Sequence, residues 1–291
     1  MNLREKFIGG DAVDSLIRAA LREDIGTGDI TTLSVIPANA RAYGRYIAKE
    51  DGVLCGMDIA ERVYELLGEE MGESEITFVR HFEDGQSFHR GDVLAEVRGD
   101  AVTLLSGERV GLNLMQHLSG IATLTRQAVD SVAGTNAKIV DTRKTTPGMR
   151  VIEKYAVRVG GGTNHRFNLA DGILIKDNHI VAAGGITAAV QAARRRAPHT
   201  LKIEVEVETE AQLLEALEAG ADIIMLDNMN EEAMQRAVKI VNGRALTEAS
   251  GNMGARDLYK VAMTGVDLIS IGALTHSARA MDISLKFSLE Q

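Results

Sequence analysis

Leu201–Val241 reads "LKIEVEVETEAQLLEALEAGADIIMLDNMNEEAMQRAVKIV". Two apolar, β-branched runs, "IEVEVE" and "IIMLD", are each followed by a stretch with apolar residues at helical spacing, "EAQLLEALEAG" and "EEAMQRAVKIV". Strand then helix, repeated with short loops, implies parallel strands joined by helical crossovers. The unit recurs in both directions. Upstream lie "AKIVD" and "GILIKD", downstream "RALTEAS" and "VDLISIG", and most of the six runs lead into helix-like stretches such as "TAAVQAARRRA" and "ARDLYKVAMTG". Six strands are too few to close a barrel, so one or two more are expected between 145 and 170. Strands covered by helices on one side and a packed interior on the other are expected to be apolar on both faces.

Ahead of this series the texture changes. Residues 11–23 read as an amphipathic helix with Val13, Leu16, Ile17, Ala20 and Leu21 on one face. "EDIGTGDITT" reads as a loop, residues 40–100 as short alternating β runs, and Ser106 to about Val132 as a long helix. "FEDGQSFHRGDVLAEVRGD" has the hairpin texture of a lipoyl or biotinyl carrier module, but residues 76–99 contain no lysine to carry the group.

A chain of 291 residues suits one barrel-sized domain plus a lesser one, and 45% hydrophobic with 25% charged residues is ordinary for a globular protein. The single cysteine, Cys55, excludes an internal disulfide and fits a reducing cytoplasm. No apolar run approaches the roughly 18 residues of a membrane span. The N-terminus lacks the basic-then-apolar layout of a secretion signal. A net charge of −9 argues against nucleic-acid binding.

The chemistry gathers where the strands finish. Asp141 with Arg143 and Lys144, Lys176 with Asp177, Glu206, Asp227 with Asn228, Ser250 with Asn252, and Ser270 all close apolar runs. In a (β/α) barrel those ends converge on the face that carries the active site, so the pattern points to an enzyme. From Arg143 to Lys176 this acidic protein has seven cations against two acids, Glu153 and Asp171. Arg143, Lys144, His165, Arg166 and Lys176 near strand ends would hold an anion of several charges. Lys176, flanked by "ILI" and "DNH", is expected near the mouth, where a Schiff base is the alternative role. Arg150, Lys154 and Arg158, four apart, read as a solvated helix face. Glu206 and Asp227 offer oxygen ligands for Mg²⁺, the alternative being that they only balance the cations opposite; Glu204, Glu206 and Glu208 share one face. "SGN" (Ser250, Gly251, Asn252) and "SIG" (Ser270 to Gly272) suit a phosphate, as the last two loops of a barrel commonly do. "GGGTNHR" follows no apolar strand, which excludes a dinucleotide fingerprint.

Taken together, "DTRKTTPG", "EKYAVRVGGGTNHR", "ILIKDNH", "IEVEVE", "IIMLDN", "EASGN" and "DLISIGALT", in this order, resemble the quinolinate phosphoribosyltransferases, as do "EDIGTGDITT" and "ERVGLNLMQHLSGIAT". The resemblance implies an N-terminal α/β open sandwich over 1–115, an incomplete seven-stranded (β/α) barrel over 116–274, and a segment 275–291 that packs back on the first domain. It implies transfer of phosphoribosyl to quinolinate with decarboxylation, in NAD biosynthesis and with Mg²⁺. By the same resemblance Thr142, Arg143, Lys144, His165, Arg166 and Lys176 grip quinolinate's carboxylates or the diphosphate, with Lys144, Lys176, Glu206 and Asp227 catalytic. Glu206 and Asp227 serve the ribose hydroxyls and Mg²⁺, and Ser250, Gly251, Asn252, Ser270 and Gly272 hold the 5′-phosphate. Arg109 would enter the site of a neighbouring subunit, which makes the partner a second copy of the chain, in a homodimer that leaves higher assembly open. No membrane or nucleic-acid partner is implied.

Overall fold

The computed structural model describes residues 10–37, 39–72 and 76–289. The first nine residues, part of the stretch expected to carry no secretion signal, lie outside the described residues. So do the last two of the segment 275–291. The chain forms two compact units: one takes the chain up to Arg126, Thr146–Gly161 and the stretch from Ala278 on, the other Gln127–Thr145 and Gly162–Ser277.

The first unit opens with α1 (Gly10–Ile25), α2 (Ile30–Val35), β1 (Arg41–Ala48), β2 (Gly52–Val53) and α3 (Met57–Met71). It continues with β3 (Thr77–Arg80), β4 (Ser87–Phe88), β5 (Val93–Asp100) and the long α4 (Ala101–Ser131), whose end from Gln127 belongs to the second unit. There follow β6 (Lys138–Val140), α5 (Arg150–Val159), β7 (Ile173–Ile175), α6 (Asp177–Ala183), α7 (Ile186–Arg196), β8 (Ile203–Val207) and α8 (Glu210–Ala219). The series ends with β9 (Ile223–Asp227), α9 (Glu231–Val241), β10 (Leu246–Ser250), α10 (Leu258–Ala262), β11 (Leu268–Ser270), α11 (Ala273–His276) and β12 (Ile283–Leu289).

In the first unit an antiparallel sheet runs in the order β12-β1-β5-β3, so the last strand pairs with the first. Alternate residues of β1, among them Ala42, Tyr46 and Ala48, point into a core with Leu54, Met57, Tyr64, Phe88, Leu94, Leu104 and Met115. Tyr46 and Tyr64 satisfy each other's hydroxyls there at 2.6 Å, as buried phenols must. Gly120 in α4 is needed because a Cβ at that position would lie 2.1 Å from the Arg279 carbonyl oxygen.

The loop expected at "EDIGTGDITT" is partly helical. Asp29 caps α2 by accepting the Thr32 amide at 3.0 Å and the Thr32 hydroxyl at 2.5 Å; the hydroxyl first, and then the amide, hold its carboxyl below the usual carboxylate range. The solvated face expected on α5 is also not what forms. Arg158 is exposed, but Lys154 is 2% and Glu153 0% exposed. Apolar Ile152, Ala156 and Val157 share this short helix, so its buried surface takes in the intervening residues, and Glu153 is satisfied by His117 at 2.8 Å and the Thr146 amide at 3.0 Å.

The second unit is an incomplete (β/α) barrel. All six strands expected from the sequence form, in the parallel order β6-β11-β10-β9-β8-β7. Between 145 and 170 lie α5 and a single parallel bridge, Val140 to Thr163, which occupies the seventh place at the free edge of β6. Helix starts are locally encoded: Thr209 caps α8 with Gln212 completing the capping box, and Asn230 caps α9 through the Ala233 amide. The interior departs from the expected apolar faces. Ile203, Val205 and Val207 alternate with Glu204, which is 4% exposed, and β10 buries Glu248 at 1%.

Candidate active site

The C-terminal ends of the barrel strands surround a cavity of about 340 Å³. Eight of the expected residues line it: Thr142, Arg143, Lys144, His165, Arg166, Lys176, Ser250 and Ser270. They arrive from β6, the Gly162–Gly172 loop, β7, β10 and β11, so convergence of strand ends brings together residues far apart in the chain. Asp227 stands beside Ser250 in the β9–β10 register.

Lys176 directly follows β7 and sits at the N-cap of α6, where its amide donates to His179 Nδ1 at 3.0 Å. Its ammonium pairs with Glu206, the next strand's polar end. That pairing favours a fixed cation over a nucleophilic amine. Arg166 donates to the Gly172 carbonyl at 2.9 Å, and burial together with the neighbouring Arg143 charge lowers its pKa below the ordinary guanidinium value. Two guanidinium groups held this close make a site that gains by taking up an anion.

In the loop after β10, Gly251 has φ 96°, and a Cβ there would lie 2.2 Å from the Asn228 side-chain oxygen. Asn252 follows at φ 50°, a left-handed conformation that Asn tolerates. The "SGN" turn is thereby folded tightly against the end of β9, where the Asn228 amide donates to Ser250 at 3.0 Å. Gly272 approaches Lys144 so closely that a Cβ would meet its side chain at 2.9 Å. Arg109 is exposed on α4 in the first unit.

His165 and Arg166 sit on a loop with almost no strand support, and buried carboxylates hold it instead. Asp141, fully buried, accepts the His165 amide at 2.8 Å and the Asn164 side chain at 2.7 Å. His165 Nδ1 accepts the Arg166 amide at 2.7 Å, while Nε2 faces Glu204 at 3.1 Å and Glu248 at 3.7 Å. Burial, and then the Glu204 charge, push the Glu248 carboxyl up to about 7. Glu248 has no role expected from its sequence context, and the family resemblance selects Glu206 over Glu204. A signal was available: each buried glutamate stands two residues before a polar strand end, and so on the same face of its strand as Glu206 or Ser250.

Residues 29–119 match the model described as quinolinate phosphoribosyl transferase, N-terminal domain, and residues 121–286 match its C-terminal domain. The chain belongs to the quinolinate phosphoribosyltransferase family. It is 49% identical to the probable nicotinate-nucleotide pyrophosphorylase [carboxylating] of Bacillus subtilis, over 92% of this chain and 90% of that protein. It is 45% identical to the nicotinate-nucleotide pyrophosphorylase [carboxylating] of Mycobacterium leprae, over 94% and 97%. Among solved structures, NadC from Streptococcus pyogenes superposes with a TM-score of 0.90 at 42% identity, covering 98% of this chain and 99% of that one. An open sheet followed by an incomplete barrel is thus the fold of this family's members as well as of this chain. Among the described residues, no helix is long and apolar enough to cross a membrane.

Proposed function

We propose that this chain transfers phosphoribosyl from 5-phosphoribosyl 1-pyrophosphate to quinolinate, with loss of CO₂, giving nicotinate mononucleotide and pyrophosphate in NAD biosynthesis. Relatives at 40–49% identity that carry this activity in their names support the reading. The observation within the chain that carries it is the cavity walled by Arg143, Lys144, Arg166 and Lys176, since both substrates are polyanions.

In this reading Arg143 and Arg166 face quinolinate's two carboxylates, Lys144 and Lys176 the diphosphate, and the "SGN" and "SIG" turns the 5′-phosphate. Bound in this way, the ribosyl carbon and the pyridine nitrogen meet in line. Pyrophosphate leaves with the bonding pair, its growing charge met by the lysines, while the nitrogen lone pair forms the new bond to carbon. As the adjacent carboxylate departs as CO₂, its bonding pair stays on the ring carbon, stabilised by the cationic nitrogen beside it, and there takes up a proton. No side chain is required as a nucleophile. Glu206 and Asp227 present hard oxygens at the ends of adjacent strands, a donor set that fits Mg²⁺ with water and substrate completing its shell; when bound, the ion supplies charge neutralisation for the diphosphate. We also assign Arg109 to the site of a second copy in a homodimer, and the protein to the cytoplasm, which a chain with a single cysteine suits.

Purified protein supplied with Mg²⁺, phosphoribosyl pyrophosphate and quinolinate should release CO₂ and form nicotinate mononucleotide. Nicotinate as the competing substrate should be used poorly. A preference for nicotinate would reject the dicarboxylate assignment.

A further inference from the structure

Glu204 lies beneath the cavity and Glu248 forms part of its floor, with 4% and 1% of their surface exposed. Among the described residues, neither Glu204 Oε1 nor Glu248 Oε1 has a hydrogen-bond partner. Each such buried oxygen is costly, and a barrel interior filled by Val or Leu would be more stable. The pair therefore calls for a reason other than packing. Three ligand-type atoms, from His165, Glu204 and Glu248, lie within 4.8 Å of one another, which raises the possibility of a metal. The imidazole argues against it. His165 Nδ1 accepts the Arg166 amide at 2.7 Å, so the ring proton sits on Nε2, the atom that faces Glu204 at 3.1 Å. A nitrogen that carries a proton has no lone pair for a cation.

The same contacts read well as a mechanical chain. The loop bearing His165 and Arg166 has one bridge to β6, at Thr163, in place of a strand ladder. Asp141 fixes its backbone through the His165 amide. Glu204 takes the ring N–H, the ring takes the Arg166 amide, and the Arg166 guanidinium lines the cavity beside Arg143. Without the glutamates the ring could rotate, and Arg166 would lose the contact that sets its backbone.

We infer that Glu204 and Glu248 are positioning residues for the dicarboxylate substrate: they lock the His165 ring from below, and through it they hold Arg166 in its binding pose. This rests on the proposed quinolinate activity. It differs from the assignments to Glu206 and Asp227, because the buried pair acts through the His165 ring.

Steady-state kinetics of wild type, Glu204→Ala and Glu204→Gln, with each substrate varied in turn, test it. Loss of the acceptor in Glu204→Ala should raise KM for quinolinate about tenfold or more and leave KM for phosphoribosyl pyrophosphate within about twofold. Glu204→Gln keeps an acceptor oxygen and should recover most of that loss. An unchanged quinolinate KM in Glu204→Ala, or equal rises for both substrates, overturns the inference. Should Glu204→Ala fail to fold, ¹⁵N-histidine NMR of the wild type decides. A proton on Nε2 of His165 is expected; a proton on Nδ1, or stoichiometric Zn²⁺ or Mn²⁺ binding through that ring, overturns it. A wild type inactive on quinolinate would reject the proposed function itself, whereas an active wild type with an indifferent Glu204→Ala rejects only this inference.

Discussion

His165 has both ring nitrogens engaged within the barrel, one by a backbone amide and the other by Glu204. A histidine among cations at a barrel mouth suggests direct contact with substrate; here its partners at and beneath the floor matter as much. Glu248 gives this cluster a measurable signature. Its folded carboxyl keeps a proton up to about pH 7, against an ordinary value of 4.5, because burial and Glu204 disfavour the charge. Between those values the folded state binds more protons than the unfolded one. Its contribution to stability is therefore fully present below 4.5 and is lost as pH rises through 7. Glu248→Gln should remove that loss. Its denaturation midpoint should match wild type near pH 4.5 and exceed it increasingly up to pH 7, beyond which the gap levels off. A gap that does not vary with pH would mean that Glu248 ionises as an ordinary surface carboxylate does.

Elements rather than single side chains decide how the turn after β10 is made. The end of β10 passes into a turn with two consecutive left-handed residues, Gly251 and Asn252, pressed against Asn228 at the end of β9. Gly251→Ala would need a strained backbone and would push Asn228 aside. Local strain of about 1–3 kcal/mol is enough to raise KM for phosphoribosyl pyrophosphate at least about fivefold, with a smaller change for quinolinate. If both constants stay at wild-type values, this turn does not bind the phosphate. Strand and helix placement was largely legible beforehand, since periodicity and caps such as Thr209 and Asn230 act over a few residues. The elements that escaped were governed by other effects. The six-residue α2 depends on one Asp29 cap within a Gly-rich stretch, and the seventh barrel position is reduced to a bridge with no periodic signal.

Assembly bears on whether one chain completes its own site. Arg109 is exposed on α4 and is assigned to a second copy's site. Arg109→Ala and Lys176→Ala should each be inactive alone. Mixed in equal amounts and allowed to exchange, they should recover about a quarter of wild-type activity, because half of the dimers then hold one site with both residues intact. No recovery despite demonstrated exchange would place Arg109 outside a shared site. The alternation of six strands with helices and the polar residue at each strand's end follow from the amino-acid order alone, because backbone periodicity and capping are set by near neighbours. The same order concentrates an acidic chain's cations at those ends, which points to anionic substrates. Packing in three dimensions is what buries Lys154, pairs Lys176 with Glu206, and turns Glu204 and Glu248 inward to hold His165. Those outcomes depend on which residues burial brings together across the barrel, and strand alternation assigns a side chain to a face without naming its partner there.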